Sequence, residues 1–158
     1  HNKAPDANGA KRRTAMTVKT ILEKKGHDVL TVGPNEKLSE AVRILAEHRV
    51  GALVVTNGGR KSVGILSERD IVRVIAKSGV NSLDQSVRDV MTPKVKICNE
   101  HHTVNDVMEI MTKGRFRHLP VEKNGQLHGI ISIGDVVKVR IEEVEREVEN
   151  IKAYIATA

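Results

Sequence analysis

Two stretches of the chain, residues 64–74 (GILSERDIVRV) and residues 129–139 (GIISIGDVVKV), share one order of apolar and polar positions at an offset of 65. Each begins with a short apolar run after a glycine, which predicts a buried strand. A serine follows, three residues ahead of an aspartate, and apolar residues then recur at helical spacing. The pattern therefore predicts a strand, a serine N-cap and a helix in each copy.

The other elements of the two halves recur in the same order. Residues 18–22 (VKTIL) resemble residues 87–91 (VRDVM), and each stretch predicts a short amphipathic turn that leads into a strand. Apolar runs at residues 28–32 and 94–98 predict that strand in each half. A helix follows in both halves, because apolar residues spaced 3, 1 and 3 recur at an offset of 66: Leu38, Ala41, Val42 and Leu45, then Val104, Val107, Met108 and Met111.

A second strand is predicted at residues 51–55 of the first half and at residues 117–121 of the second. Loops that contain glycine, residues 57–61 and 123–125, predict hairpins between these strands and the third ones. Each half is therefore β-α-β-β-α. The predicted organisation is a disordered N-terminal arm at residues 1–16, repeats at 17–78 and 87–140, a linker at 79–86 and an amphipathic helix at 141–158.

An internal repeat of this size constrains how the core forms. A half of about 55 residues buries only a limited core by itself. Two copies packed sheet against sheet around a pseudo-twofold axis would bury one face of each sheet. The predicted fold is mixed α/β (α+β), with a long C-terminal helix and two equivalent clefts, each bounded by residues from both halves.

The amino-acid composition argues against several classes of function. Of the 158 residues, 39% are apolar and only Phe116 and Tyr154 are aromatic, which argues against aromatic platforms for single-stranded nucleic acid. The single Cys98 excludes a disulfide framework within the chain and a cysteine-rich zinc site, and it fits a reducing cytosol. No apolar run approaches the roughly 18 residues of a membrane span. The net charge of +6 is spread along the chain, and we expect a cytoplasmic protein.

The Ser-x-x-Asp element at the start of each last helix has two interpretations. It is a capping box, in which two short polar side chains bond the unpaired backbone N–H groups of the helix start. A helix N-terminus also binds anions, and an aspartate there can accept two hydrogen bonds from a vicinal diol, so the pair suits a ribose phosphate. Both interpretations remain open, and the repeat around the element gives weight to the second.

Two copies of β-α-β-β-α that carry Gly-Ile-x-Ser-x-x-Asp, with Arg-His-Leu-Pro-Val at residues 117–121, resemble a tandem CBS-domain pair, or Bateman module. The family is named from cystathionine β-synthase, and similar modules occur in IMP dehydrogenase and in the regulatory subunit of AMP-activated protein kinase. The resemblance covers residues 18–140, because both full-length copies agree in order and spacing. The chain is thus similar to a stand-alone bacterial-type CBS-domain protein.

The resemblance implies a regulatory unit whose clefts bind adenine nucleotides: AMP, ADP or ATP, and in some members NAD(H) or S-adenosylmethionine. In the family pattern the aspartate holds the ribose hydroxyls and the serine lies near the phosphate. These roles fall to Asp70 and Ser67 in one cleft and to Asp135 and Ser132 in the other. Neither a metal nor a covalent cofactor is implied.

Basic residues at the start of the second strand contact phosphate in this family. Arg117 and His118 hold that position in the second half, and both are suitable donors to phosphate oxygens. The first half has Gly51 and Ala52 there, so the cleft of the second half is expected to be the better monophosphate site. Arg69 could supply a donor to the first half. Each basic residue also has a structural alternative: a surface ion pair for Arg69, and a half-buried strand position bonded to the backbone for His118.

Aliphatic side chains and main chain would enclose the adenine in such a cleft. Residues from the opposite half are implied at each site, together with the second strands. These residues are Pro34 and Ala41 at the cleft of Asp135, Ile97 and Val107 at the cleft of Asp70, and Leu53 and Pro120 on the second strands.

No catalytic motif accompanies these elements in the sequence, neither Gly-x-Ser-x-Gly, nor a Walker loop, nor His-Glu-x-x-His. His101 and His102 lie in a polar stretch without the Asp, Glu or Cys spacing that would complete a metal site. Met91, Met108 and Met111 fall at apolar positions and are predicted to fill the core. We therefore expect a protein that is not an enzyme.

The C-terminal stretch carries a separate apolar pattern. Its apolar residues follow the 4, 3, 4, 3, 4 spacing of a and d positions in a coiled coil. Two partners are possible: the chain's own domain, or the same helix of a second copy in a homodimer, with contacts between CBS faces as further support. The residues of this pattern are Val137, Ile141, Val144, Val148, Ile151 and Ile155.

The sequence therefore predicts a non-enzymatic, homodimeric sensor of adenine nucleotides. An alternative is an interaction protein that binds nucleic acid or a protein partner through its basic face and residues 11–13 (KRR), without a small ligand. A third possibility is a dimeric scaffold with no ligand. The two retained Ser-x-x-Asp elements favour the sensor.

Overall fold

The computed structural model describes residues 16–93 and 95–157. The predicted N-terminal arm, with the basic cluster at residues 11–13, lies outside these residues except for Met16. The elements in chain order are α1 (Val18–Lys25), β1 (Thr31–Val32), α2 (Leu38–His48), β2 (Ala52–Thr56), β3 (Ser62–Ser67), α3 (Glu68–Ser78), a 3-10 helix (Val80–Asp84), α4 (Val87–Val90), β4 (Thr92–Pro93), α5 (Val104–Gly114), β5 (His118–Lys123), β6 (Gln126–Ser132) and α6 (Ile133–Thr157).

The first half is built on a four-stranded sheet in the order β1-β2-β3-β4. All five residues of the central strand β2 are buried, which suits its apolar and β-branched sequence ALVVT. Strand β1 runs parallel to β2, and β3 runs antiparallel to it as the second arm of a hairpin. Strand β4 belongs to the second repeat in sequence, yet Pro93 lies opposite Gly64 of β3. The sheet of the first half therefore includes a strand from the second repeat.

The second half contains the antiparallel hairpin β5–β6, with His118 opposite Ser132. Where the first half has β1, the second half has a single parallel bridge between Cys98 and Val121. The predicted strands at residues 28–32 and 94–98 were therefore too long, and Lys94 lies outside the described residues. These edge segments have only one neighbouring strand to bond, so pairing ends where they diverge from it.

Each half has its own apolar core, and the halves exchange their first helices. Val18, Ile21 and Leu22 of α1 are buried in the core of the second half. Val87 of α4 is buried in the core of the first half. Thus each repeat completes the core of the other. Met16, which the sequence analysis assigned to the N-terminal arm, donates a backbone hydrogen bond to Glu143 at 3.1 Å.

Two glycines mark where the exchanged helices meet the opposite sheet. A Cβ atom at Gly129 would lie 2.7 Å from the Leu22 side chain, and one at Gly64 would lie 2.7 Å from the sulfur of Met91. No side chain fits at either position without moving its neighbour. The glycine that opens each repeated stretch therefore permits close approach of the helix from the other half.

The two exchanged helices end differently. Residues 18–22 and 87–91 correspond at an offset of 69, so Pro93 corresponds to Lys24. Proline disfavours helical backbone in the residue before it, and α4 stops at Val90, so that Thr92 and Pro93 form β4. Lacking such a proline, α1 continues to Lys25. One extra helical turn therefore lies over the second half.

The segment predicted as a linker, residues 79–86, is ordered against the first half. Its 3-10 helix buries Ser82 and half-buries Leu83 beside the first core. The Ser82 hydroxyl donates to the carbonyl oxygen of Gly79 at 2.6 Å. This packing connects α3 directly to α4 and helps to place α4 on the first core.

The long C-terminal helix α6 continues directly from Ser132 for 25 residues, or about 37 Å. Val136 and Val139 near its start are buried in the core of the second half, and every residue from Val144 to Thr157 is exposed. No helix in the described part of the chain is long and apolar enough to cross a membrane. The predicted mixed α/β fold of two related halves with a long C-terminal helix is confirmed.

Candidate functional site

The first Ser-x-x-Asp element closes the start of α3 as a capping box. The Ser67 hydroxyl accepts from the backbone N–H of Asp70 at 3.3 Å, and the Asp70 carboxylate accepts from the Ser67 N–H at 2.9 Å. The same carboxylate oxygen, Oδ2, also accepts from the Ser67 hydroxyl at 3.0 Å. Within the described residues no hydrogen bond reaches Asp70 Oδ1, so this oxygen can accept from a ligand.

The second element repeats this geometry with one added partner. Asp135 Oδ2 accepts from the Ser132 N–H at 2.8 Å and from its hydroxyl at 3.0 Å. The ammonium group of Lys25 lies 2.7 Å from the same oxygen and also donates to the carbonyl oxygen of Ile130 at 2.8 Å. Burial acts to raise the pKa of Asp135, but the bonds from Lys25 and Ser132 outweigh it and hold that pKa below its usual range.

Both Ser-x-x-Asp elements therefore cap a helix. A third helix shows that a capping box alone does not identify a ligand-binding site. Thr103 and Asp106 form the same box at the start of α5. That box lies outside the two cavities described next. The surroundings of Ser67 and Ser132, rather than the motif itself, distinguish them from an ordinary helix start.

The first cavity, of about 370 Å³, lies over the start of α3 and reaches the size range of ligand pockets. Ser67 and Asp70 line it from the first half, and Ile65 and Thr92 lie on the strands beneath. The second half contributes residues 114–118, which run from the last residue of α5 to the first residue of β5. This cavity is therefore bounded by both halves.

The first cavity is strongly basic. Four arginine side chains line it, against the two carboxylates of Glu68 and Asp70. In the described part of the chain none of the four guanidinium groups forms an ion pair within 4.0 Å, so they can bind an anion. The four are Arg69 and Arg73 on α3, and Arg115 and Arg117 from the second half.

The second cavity, of about 300 Å³, is the counterpart of the first across the two halves. Ser132 and Ile130 line it from the second half, and Arg49 with Gly51 lines it from the segment that joins α2 to β2. Lys25 also lines it and bonds to Asp135. Asp135 itself is not among the lining residues, and the Lys25 ammonium group lies 2.7 Å from its Oδ2.

Corresponding arginines follow α2 and α5. Arg49 and Arg115 both adopt left-handed backbone conformation, with φ of 54° and 56°, as the C-caps of these helices. An unusual positive φ directs the chain from each helix towards the opposite cavity. Sequence analysis missed both residues, and the available signal was their shared offset of 66 at the end of matching helices.

His118 connects the two cavities and lines both. A Cβ atom at Gly51 would lie 3.4 Å from its imidazole ring, so the ring packs closely against the backbone of the first half. Burial lowers the pKa of His118 below its usual value, and the charges of Lys25 and Arg117 act in the same direction. His118 is therefore neutral at pH 7 and available as a single hydrogen-bond donor.

The structure corrects the predicted placement of the phosphate donors. Arg117 lines the first cavity with Asp70, not the second with Ser132, and only His118 reaches the second. The Arg117 carbonyl oxygen accepts from the N–H of Ile133 at 2.8 Å, which fixes the backbone beside α6. The sequence pattern placed Arg117 on its own half, but the cavity that its side chain lines is formed across the two halves.

The six residues predicted to enclose an adenine line neither cavity. Five of the six are buried, and Ala41, Leu53 and Val107 belong to the two apolar cores. Ile97 is instead 41% exposed, on the segment between β4 and the Cys98 bridge. The buried ones are Pro34, Ala41, Leu53, Val107 and Pro120.

Comparison with known proteins supplies a family. The family model described as "CBS domain" matches the chain twice, at residues 18–77 and 87–142. Each matched region begins with the helix that packs into the core of the other half. Over 149 residues the chain is 34% identical to "CBS domain-containing protein CBSX3, mitochondrial" of Arabidopsis thaliana, covering 89% of this chain and 72% of that protein.

Solved structures agree in fold. The CBS-domain containing protein ATU1752 from Agrobacterium tumefaciens is 52% identical, with a TM-score of 0.77 over 80% of this chain and 94% of that one. The CBS domain pair of protein MJ0100 was solved in complex with 5-methylthioadenosine and S-adenosyl-L-methionine. It is 25% identical, with a TM-score of 0.73 over 82% of this chain and 98% of that one.

Proposed function

This chain belongs to the CBS-domain family, and we propose that it is a regulatory module that binds a phosphate-bearing adenine nucleotide, without catalysis of its own. The observation that carries the proposal is the first cavity, which combines the Asp70 carboxylate, a capped helix start and four arginines. The adenosine ligands of the MJ0100 domain pair support the class of ligand.

Each group in the first cavity has a role in the proposed complex. Oδ1 of Asp70 accepts from the ribose hydroxyls, since Ser67 already occupies Oδ2. The guanidinium groups of Arg115 and Arg117 bind phosphate oxygens from the second half. Ile65 offers an apolar surface to the adenine. Four arginines against two carboxylates favour AMP, ADP, ATP or NAD(H) over an uncharged adenosine thioether.

The signal proposed to leave this site is a change in the relative position of the two halves. A bound nucleotide contacts α3 of the first half and the α5–β5 segment of the second, so its affinity depends on how the halves are placed. A ligand shifts an equilibrium only by its difference in affinity between two states. We propose that a homodimer transmits this shift to a partner protein.

Calorimetric titration with AMP, ATP, NADH, S-adenosylmethionine and adenosine tests the proposal. Wild-type protein should bind at least one phosphate-bearing ligand saturably. Arg117→Gln should weaken that binding about tenfold, because a hydrogen bond to a charged group is lost, and should leave adenosine binding unchanged. Arg88→Gln is the matched control, since Arg88 is exposed and lines neither cavity.

Three outcomes would contradict the proposal. Folded protein that binds none of the ligands would leave Ser67 and Asp70 as helix caps only. Equal effects of Arg117→Gln and Arg88→Gln would show that the cavity does not hold the phosphate. Binding of nucleic acid that weakens steeply with salt, with no nucleotide binding, would favour the interaction protein instead.

A further inference from the structure

The projecting part of α6 has an apolar face with no partner in the described chain. From Val144 to Thr157 all residues are exposed, and a free helix of this length is marginal in water. Its apolar residues continue a seam that begins beside the domain. This seam, with exposed fractions of 43% to 68%, is Val137, Ile141, Val144, Val148, Ile151 and Ile155.

The seam faces away from the domain that carries it. Val136 and Val139 pack into the second core, and in the heptad that the seam defines they hold c and f positions, on the opposite side of the helix. Val137 and Ile141 of the seam are already 45% and 53% exposed at that level. A second helix can therefore lie along the seam without displacing the domain.

Charges beside the seam distinguish the ways in which two copies can pair. With Ile141, Val148 and Ile155 at a positions, residues 140 and 147 hold g positions and residues 145 and 152 hold e positions. In a parallel, in-register pair each g position faces the next e position of the other chain. Arg140 then faces Glu145 of the second copy, and Glu147 faces Lys152. Both contacts join opposite charges.

An antiparallel pair along the same seam joins like charges. Matching the six apolar positions in reverse order brings e positions against e positions and g positions against g positions. Lys138 then faces Lys152, while Glu145 and Glu147 each face their own copies. Each of these charged contacts is repulsive, so the sequence favours the parallel arrangement.

We propose that the seam of α6 pairs with the same seam of a second copy in a parallel, in-register, two-stranded coiled coil. The pairing rests on the homodimer part of the proposed function and does not involve the nucleotide site. It places the two domains side by side at one end of the coil. The projecting half of α6 is then a dimerisation element rather than a docking site for an unrelated protein.

Disulfide formation between introduced cysteines tests the direction of the pair. Ile151→Cys, at a d position, should form a disulfide-linked dimer under mild oxidation, because identical d positions are adjacent in a parallel pair. In an antiparallel pair these positions would be about 15 Å apart along the axis. Ala153→Cys is the control, since it is equally helical and exposed but lies at an f position. Cys98 is 1% exposed and should not contribute.

Charge exchange tests the same arrangement without cysteines. Lys152→Glu should raise the dimer dissociation constant by roughly tenfold in sedimentation equilibrium, because two attractive contacts per dimer become repulsive. Adding Glu147→Lys should restore most of the affinity. An antiparallel pair predicts the opposite result for Lys152→Glu, because Lys138 would gain an attractive partner.

The proposal is overturned by a wild-type monomer, by a trimer, by equal cross-linking at positions 151 and 153, or by tighter association of Lys152→Glu. A dimer insensitive to all these changes would use another surface and would also overturn it. Nucleotide titration of the same variants separates this result from the ligand proposal, since none of the substituted residues lines either cavity.

Discussion

Replacing Lys25 by methionine is expected to open the second cavity to a ligand. In the folded chain the Lys25 ammonium group lies 2.7 Å from Asp135 Oδ2 and 2.8 Å from the carbonyl oxygen of Ile130. That carboxylate oxygen also accepts two hydrogen bonds from Ser132, so its acceptor sites are filled. Lys25 lines the second cavity whereas Asp135 does not, so a ribose diol that reaches Asp135 from this cavity must first displace the Lys25 side chain.

The free-energy cost of displacing Lys25 follows from its contact with Asp135. Both partners are partly buried, with side-chain exposures of 33% for Lys25 and 26% for Asp135. Breaking one hydrogen bond between charged groups in such a setting costs about 2 kcal/mol, or about 30-fold in a dissociation constant. Wild-type protein should therefore show one strong site per chain, and the second site should be about 30-fold weaker than its geometry alone would permit.

Lys25→Met should be titrated calorimetrically with the nucleotide that binds the wild-type protein most tightly. Binding at the second cavity should then have a dissociation constant about 30-fold lower than in wild type. Lys24→Met is the control, because Lys24 also forms an ion pair, with Glu142 at 3.3 Å, but lines neither cavity. Two equal sites in the wild-type protein would refute the reasoning. Weaker binding in Lys25→Met would also refute it, because Lys25 would then be a ligand contact.

Three further predictions concern the cores and the central histidine. Leu22→Ala should lower the free energy of unfolding by about 2–5 kcal/mol in a denaturant titration, because Leu22 is fully buried against Gly129. Folding lowers the pKa of His118, so below about pH 6.5 the unfolded chain binds more protons than the folded one. The free energy of unfolding therefore falls as the pH decreases through that value. His118→Gln should lose less stability than wild type between pH 7.5 and 5.5, measured by thermal unfolding in each buffer. Burial raises the pKa of Cys98 to about 12, and its thiol should react with an aromatic disulfide reagent at pH 8 only after unfolding; fast reaction of the folded chain would contradict its burial.

Local patterns were sufficient to predict most of the helices and the two hairpins in their order, but not the 3-10 helix or β4. The capping boxes at Ser67 and Ser132, the hairpins and the C-terminal helix depend on residues a few positions apart, and these are recognisable in the sequence. The edge strands were overestimated, because their length depends on how far a neighbouring strand accompanies them. Apolar periodicity alone does not contain that information.

The composition of the two cavities could not be predicted in the same way. Which arginine lines which cavity depends on how the two halves pack, so Arg117 was assigned to the wrong side and Arg49 and Arg115 were missed. Lys25 reaches Asp135 only because α1 runs one turn further than α4, where Pro93 ends the helix. The absence of a proline at Lys24 was visible in the sequence, but its consequence appears only once α1 lies on the second half.

The exchange of first helices also sets an order of events during synthesis of the chain. The first half is complete once Pro93 of β4 has left the ribosome, whereas the core that α1 joins also contains Leu119, Ile131 and Val139. At 5–20 residues per second, the 46 residues between positions 93 and 139 take roughly 2 to 9 s to add. Throughout that interval the first half can be folded while α1 still exposes its apolar face. A chain stalled before residue 139 would present this face to chaperones and proteases, although its first half is already native.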